Sequence, residues 1–296
     1  ALQNNTTGEW NIAIGENALD SNTTADHNTA VGEDALESNT TGEENVSVGA
    51  HSMGENETGS RNVAVGYEAL QYNTDGEDNV AIGQSALLEN IDGNQNVAIG
   101  AYALLENIDG DYNIAIGYTA LQENTEGYDN TAIGDNALGS ITTGHKNIGI
   151  GYDALASSEY GESNIAIGYK ALSSATDTNS STFISNNTVI GLYALDEIGT
   201  INETVGLGTS LGDDLDSDDT LFGVTLIGSS ATTVSGVVSN STALGYRATV
   251  TLSNTIQLGN SDVNLVNTSA TVSATAFVGD GSGLTNIGTS SSTFKD

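Results

Sequence analysis

Asn11-Ile12-Ala13-Ile14-Gly15 decides the fold, because the same five-residue pattern occurs ten times at a fixed step. Later copies begin at Asn28, Asn45, Asn62, Asn79, Asn96, Asn113, Asn130, Asn147 and Asn164, each 17 residues after the last. The closing glycine keeps that step from Gly15 to Gly168. So strict a period is the signature of stacked, near-identical units. Written out, one unit is Asn-apolar-Ala-apolar-Gly-x-x-Ala-Leu-x-x-Asn-Thr-Thr-Gly-x-x.

Within a unit the β-branched residues alternate with alanine, as in Val80-Ala81-Ile82 and Ile165-Ala166-Ile167. Period two with β-branched side chains predicts a short strand. Gly15 and its equivalents end that strand where φ > 0, or the close approach of a neighbouring coil, is required. Ala18-Leu19, Ala35-Leu36, Ala103-Leu104 and Ala154-Leu155 predict a second short buried segment, and turns such as Asn90-Ile91-Asp92-Gly93 follow it. Each coil is therefore expected to run strand, tight turn, short strand, looser turn. Helical solenoids are excluded, since their units take about 34 residues or more and every unit here carries two helix-breaking signals. At ~4.8 Å per coil the ten regular coils would rise by roughly 50 Å.

The expected core consists of the large apolar residues at the second, fourth and ninth positions of each unit. At about 1.5–3 kcal/mol each they are thin cover for the backbone entropy of a coil. The alanine between them is expected on the other face of the strand, where its small size would admit another chain. Packing against copies of itself follows, most simply as a parallel homotrimer, with a broad monomeric β-helix as the alternative.

The 296 residues include no cysteine and no proline, and 39 acids stand against five lysines and arginines, for a net charge of −34. Clustered cations, which phosphate binding needs, are missing, so nucleic acid is not an expected partner. An anionic membrane surface is excluded for the same reason, and no apolar run reaches the length of a membrane span. Acids at equivalent positions would recur every ~4.8 Å along the stack, so screening by salt or divalent cations is expected, as in a saline extracellular setting. The first residues, Ala1-Leu2, match the Ala-Leu of a unit. Entry halfway through a coil suggests a mature product or a piece of something longer.

Three segments are expected. Residues 1–208 carry the regular 17-residue units, with a polar insertion near 174–186 that should bulge as a loop. Residues 209–260 are irregular and end in a 14-residue step from Gly245 to Gly259, and 261–296 form a C-terminal segment.

Little chemistry stands out. Gly149-Ile150-Gly151-Tyr152-Asp153-Ala154 has dinucleotide-fingerprint glycines, but that site needs a strand–turn–helix unit. His27, His51 and His145 fall in turns without zinc-ligand spacing. Asp214, Asp216 and Asp218 alternate and could aim hard oxygens at one Ca²⁺, the best candidate metal site and the only cofactor entertained; a solvated acidic loop is the plainer reading, and turn formation alone explains the Asp-Gly pairs at 75–76, 92–93 and 109–110. Asn5, Asn22, Asn39, Asn56, Asn73, Asn90, Asn107 and Asn124 hold the twelfth position unbroken, which predicts a hydrogen-bonded asparagine ladder. The Asn-x-Ser/Thr triplets at Asn22 and Asn39 follow from the repeat. Tyr67, Tyr118, Tyr152 and Tyr169 follow the strand glycine and offer an aromatic stripe, for interchain packing or for glycans.

The repeated Asn-x-Ala-Ile-Gly followed by Ala-Leu resembles the left-handed β-roll heads of YadA-type trimeric autotransporter adhesins, over about 11–260. The resemblance implies an all-β solenoid, a parallel homotrimer and a surface held away from a cell. It also implies a surface glycan or cell-surface receptor as partner. Ala274-Thr275-Ala276-Phe277-Val278-Gly279-Asp280-Gly281-Ser282-Gly283-Leu284-Thr285 is similar to a segment of phage and bacterial tail fibres that precedes an intramolecular chaperone, whose start Ser292-Thr293-Phe294-Lys295-Asp296 resembles. The expectation is a non-enzymatic fibre or adhesin segment, without membrane insertion, on a cell or virion surface. A tail-fibre shaft is the second reading and an ice- or cation-binding solenoid the third.

Overall fold

The computed structural model describes residues 1–177 and 184–262. Among them the chain forms strands and turns and no helix, wound as a parallel β-solenoid of about 14 turns with coils of about 17 residues. The ten repeats each set one short strand on the same wall. These are β1 (Ile12–Ile14), β2 (Thr29–Val31), β3 (Val46–Val48), β4 (Val63–Val65), β5 (Val80–Ile82), β6 (Val97–Ile99), β7 (Ile114–Ile116), β8 (Thr131–Ile133), β9 (Ile148–Ile150) and β10 (Ile165–Ile167). The wall continues through β11 (Thr188–Ile190), β12 (Thr200–Asn202), β13 (Val205–Leu207), β14 (Thr220–Ile227), β16 (Val237–Leu244) and β18 (Ile256–Leu258) as one 16-stranded sheet. β15 (Thr232–Thr233) and β17 (Thr249–Val250) pair as a second, two-stranded sheet.

Register follows the sequence step. Ile12 pairs with Thr29 and Val80 with Val97, 17 residues apart. Ile165 pairs with Thr188, so the stack steps over the six added residues without losing register; 178–183, most of that insertion, lie outside the described residues. The coil holding the acidic segment takes 20 residues, from Val205 to Thr225. The last coil takes 14, from Thr242 to Ile256, as the Gly245–Gly259 spacing anticipates. The C-terminal segment falls outside the described residues from 263 onward.

Two expectations about the coil are overturned. Ala18-Leu19 and its equivalents form a turn, not a second strand, with the leucine at positive φ, 52° at Leu19 and 54° at Leu87. The strand also faces the other way from the one expected. Its alanines, among them Ala30, Ala64, Ala81 and Ala98, are fully buried, whereas the flanking Ile and Val point outward. The first-position asparagine explains the parity. Side chains alternate along a strand, so a buried Asn79 puts Ala81 inside and Val80 and Ile82 outside. The narrow interior is filled by two alanines, one leucine and two asparagines per coil.

Both asparagine columns are ladders. At the twelfth position Nδ2 of Asn73 donates to Oδ1 of Asn56 at 2.7 Å and to the carbonyl of Gly76 at 2.9 Å, and the pattern runs from Asn22 to Asn124. Ile141 takes the next place, leaving the buried Oδ1 of Asn124 without a partner. At the first position Oδ1 of Asn62 accepts the backbone N–H of Asn79 at 2.9 Å, while Nδ2 of Asn79 donates to the carbonyl of Gly93 at 2.8 Å. Each ladder satisfies polar groups that a dry core would otherwise leave orphaned.

The strand-ending glycines meet both requirements expected of them. Gly83 has φ 138°, and a Cβ there would stand 2.5 Å from the carbonyl oxygen of Gly100 in the next coil. No side chain fits between coils so close.

Candidate interaction surface

Turning alanine inward leaves two columns of β-branched side chains on the outer face of the sheet. Ile82 is 40% exposed, Ile99 37% and Ile116 36%, and the columns run from Ile12 and Ile14 to Leu258. Their neighbours along the axis sit one coil away, at ~4.8 Å. The fourth-position column is therefore regular and aliphatic for the length of the stack, while the second-position column is broken by Thr29, Thr131, Thr188, Thr225 and Thr242. Solvent-facing apolar patches of this extent mark interaction surfaces.

The turns carry the charge. Glu37 sits beside Asp34, Glu55 and Asp20; burial first, and then these neighbours, push its carboxyl above the usual range. Asp196 is raised as well, chiefly by burial. Arg61 is the strongest counterweight, bridging Glu77 and, at 2.7 Å, Asp78, whose carboxyl it lowers.

Aromatic residues stack from coil to coil. Tyr152 and Tyr169 lie 5.2 Å apart and nearly parallel, and Tyr193 meets Tyr169 edge-on at 5.1 Å. Tyr118 takes Tyr102 edge-on, and Tyr67 takes His51. Parallel stacking spends the facing ring surfaces of Tyr152 and Tyr169 on each other. The three histidines likewise contact adjacent coils. His27 stacks on Trp10, His145 on Tyr128, and His51 lies 3.3 Å from Asp34. Tyr193 and Tyr102 were not anticipated; they sit two places after the glycine, a column that carries no uniform residue type.

The acidic segment is a turn that satisfies itself. The N–H of Asp218 donates to Oδ1 of Asp216 at 3.0 Å, and the N–H of Asp216 donates to the buried Asp219 at 2.8 Å. Asp214, Asp216 and Asp218 are exposed. Among the described residues no three His, Asp or Glu side chains converge closely enough to hold a metal ion. Gly149-Ile150-Gly151 is β9 and its turn, with no helix following, so the pyrophosphate cradle that the fingerprint needs does not form.

Two features escaped sequence reasoning. The first-position ladder hid behind the strand pattern it initiates, although an invariant Asn in step with a buried Ala was the available signal. The corners are non-glycine residues in the left-handed region, three per regular coil, such as Asp78, Ser85 and Leu87. Two of the three columns carry no uniform residue type, and the third carries leucine, which does not ordinarily signal that region.

Comparison with protein-family models finds no match, and a search of curated proteins finds no similar sequence. Fold and surface together define the class: a repetitive all-β parallel β-solenoid with an aliphatic column along its outer face.

Proposed function

We propose that the chain is a non-enzymatic extracellular rod that assembles through its aliphatic face, most simply as a parallel homotrimer. In this reading it serves as a fibre or adhesin segment, holding a contact surface away from a cell. The observation that carries it is the unbroken aliphatic column at the fourth position, Ile, Val or Leu from Ile14 to Leu258, beside a second-position column of Ile and Val interrupted by Thr29, Thr131, Thr188, Thr225 and Thr242. A soluble chain of net charge −34 gains solubility from its acidic turns, while the opposite wall remains apolar enough to bury. Three copies related by a threefold axis would each cover that wall without leaving an open, polymerising contact. A glycan or cell-surface receptor is the expected partner of the rod's outer turns.

Analytical ultracentrifugation at micromolar concentration tests this. The reading expects three times the chain mass. Replacing Ile82, Ile99 and Ile116 by Ser should give a single-chain mass with unchanged strand circular dichroism. A wild-type chain that sediments as a monomer overturns the assembly.

A tail-fibre shaft uses the same face and the same trimer. The ice-binding reading has less support, because Thr6 and Thr40 spend their hydroxyl protons on carbonyls of the next coil and the threonine pair gives way to Thr74-Asp75 and Ile91-Asp92 in later coils.

A further inference from the structure

Of the nine Asn-x-Ser/Thr triplets whose asparagines lie among the described residues, four, at Asn22, Asn39, Asn45 and Asn56, place their asparagines entirely inside the solenoid. An N-linked glycan would be built on the amide nitrogen. That nitrogen displaces a lipid diphosphate from the anomeric carbon of an oligosaccharide. The C–N bond forms, the C–O bond breaks with its electrons leaving on the diphosphate, and the amide gives up one proton. The product keeps a single N–H.

At three of these positions both N–H bonds are already committed. Nδ2 of Asn22 donates to Oδ1 of Asn5 at 2.9 Å and to the carbonyl of Ala25 at 3.2 Å. Nδ2 of Asn39 donates to Asn22 and Gly42, and Nδ2 of Asn56 to Asn39 at 2.9 Å and Gly59 at 3.0 Å. Asn45 donates to the carbonyl of Gly59 at 2.8 Å and accepts from the N–H of Asn62, with no solvent-exposed surface. A sugar carbon on any of these nitrogens would occupy space held by the neighbouring coil. The triplets at Asn4, Asn186 and Asn240 differ in having exposed asparagines, and Asn240 serves as the reference. Its side chain is exposed, and its single bond, to Oδ1 of Asn254 at 2.9 Å, needs only one N–H.

We infer that N-linked glycosylation and winding of the solenoid are mutually exclusive at Asn22, Asn39, Asn45 and Asn56, whereas Asn240 accepts a glycan on the wound rod. A nascent chain meeting an oligosaccharyl transferase before it winds loses the N-terminal third of its ladder. Productive folding therefore belongs to a setting where the unwound chain does not meet that enzyme. The inference does not depend on the trimer or on the adhesin reading.

The test expresses the full chain through a eukaryotic secretory pathway and separates protease-resistant from aggregated material. Glycan sites are mapped by enzymatic release in heavy-oxygen water with mass spectrometry. Occupancy at the four buried asparagines should be at least tenfold higher in the aggregate, with Asn240 occupied in the resistant fraction. A variant carrying T24A, T41A, S47A and T58A leaves every asparagine in place and removes the hydroxyl each transfer requires. Thr24, Thr41 and Thr58 are exposed, and Ala is the usual residue at the place of Ser47. This variant should restore resistant protein several-fold, as should an inhibitor of lipid-linked oligosaccharide assembly acting on the wild-type chain. A glycan on Asn22, Asn39, Asn45 or Asn56 in resistant protein would overturn the inference. So would aggregation that persists under the inhibitor, or an Asn240 bare in both fractions.

Discussion

The coils up to Gly191 and the coils beyond Gly208 solve one problem with different materials. In the first region three-residue strands suffice, because asparagine ladders tie coil to coil, along the twelfth position at 2.6–3.2 Å as far as Asn124 and along the first position as far as Asn187. In the second region the ladders are gone. Thr204, Val224 and Ser241 take the first position, and Val224 reaches the Thr204 hydroxyl only at 3.4 Å. Ile198 and Leu215 stand where the twelfth-position asparagine would be. The strands lengthen to eight residues at β14 and β16, and Leu221, Val224, Leu226, Val238 and Val250 fill the interior. Directional bonds hold a narrow tube in register with few main-chain pairs. Without them the same stack needs more backbone pairing and more aliphatic volume.

The sharpest way to break this contrast is Asn73→Leu. It leaves Oδ1 of Asn56 without a partner and strips Nδ2 of Asn90 of one of its two acceptors, while the carbonyl of Gly76 keeps Asn62 and Nδ2 of Asn90 keeps the carbonyl of Gly93. At about 1–3 kcal/mol for each of these two buried orphans, the loss should be about 2 kcal/mol or more by chemical denaturation. A cost below about 1 kcal/mol would mean that the ladder is ornamental.

Gly83→Ala and Gly236→Ala compare the two regions directly. The first forces a Cβ to 2.5 Å from the Gly100 carbonyl at φ 138°, and should cost roughly 3–5 kcal/mol. At Gly236, with φ 103° and no heavy atom within 4 Å of the added Cβ, only backbone strain remains, about 1–2 kcal/mol. Equal losses in thermal denaturation would refute the reading that coil contact, not conformation, reserves Gly83.

A smaller change of opposite sign is expected at Thr119, a β-branched residue held at φ 52°. Thr119→Asn should stabilise by about 1 kcal/mol, since Asn tolerates the left-handed region.

The smallest effect concerns pH. Glu37 and Asp196 carry raised carboxyls in the folded chain. Protonation therefore favours the fold: their contribution is complete below the ordinary carboxylate values and is lost as pH rises through the raised ones. Asp78, lowered by Arg61, acts the other way, and its contribution disappears as pH falls through its lowered value. Moving from pH 7 to mild acid should raise the melting temperature slightly. Glu37→Gln should reduce that gain.

Much of the stack was legible because a 17-residue period leaves few alternatives. The strand at Val80–Ile82, the crowding at Gly83 and the Asn73 ladder each follow from a residue type with one physical use. The acidic segment was harder to read, because alternation at Asp214, Asp216 and Asp218 fits a cation loop and a self-capped turn alike. Only the hydrogen bonds of Asp216 and Asp219 show how the backbone donors are spent.

By itself, the sequence determined the period, the all-β coil and the columns of equivalent residues. Only the tertiary structure decided which side of the strand faces inward. Alternation defines two faces without ranking them, and the rule that large apolar residues go inside points the wrong way in a tube this narrow. In a regular coil the leucine and the twelfth-position asparagine face the strand and the first-position asparagine sits beside the alanine on its own side, so the strand has room for little more than alanine. The isoleucines and valines are therefore left outside, where another surface can cover them.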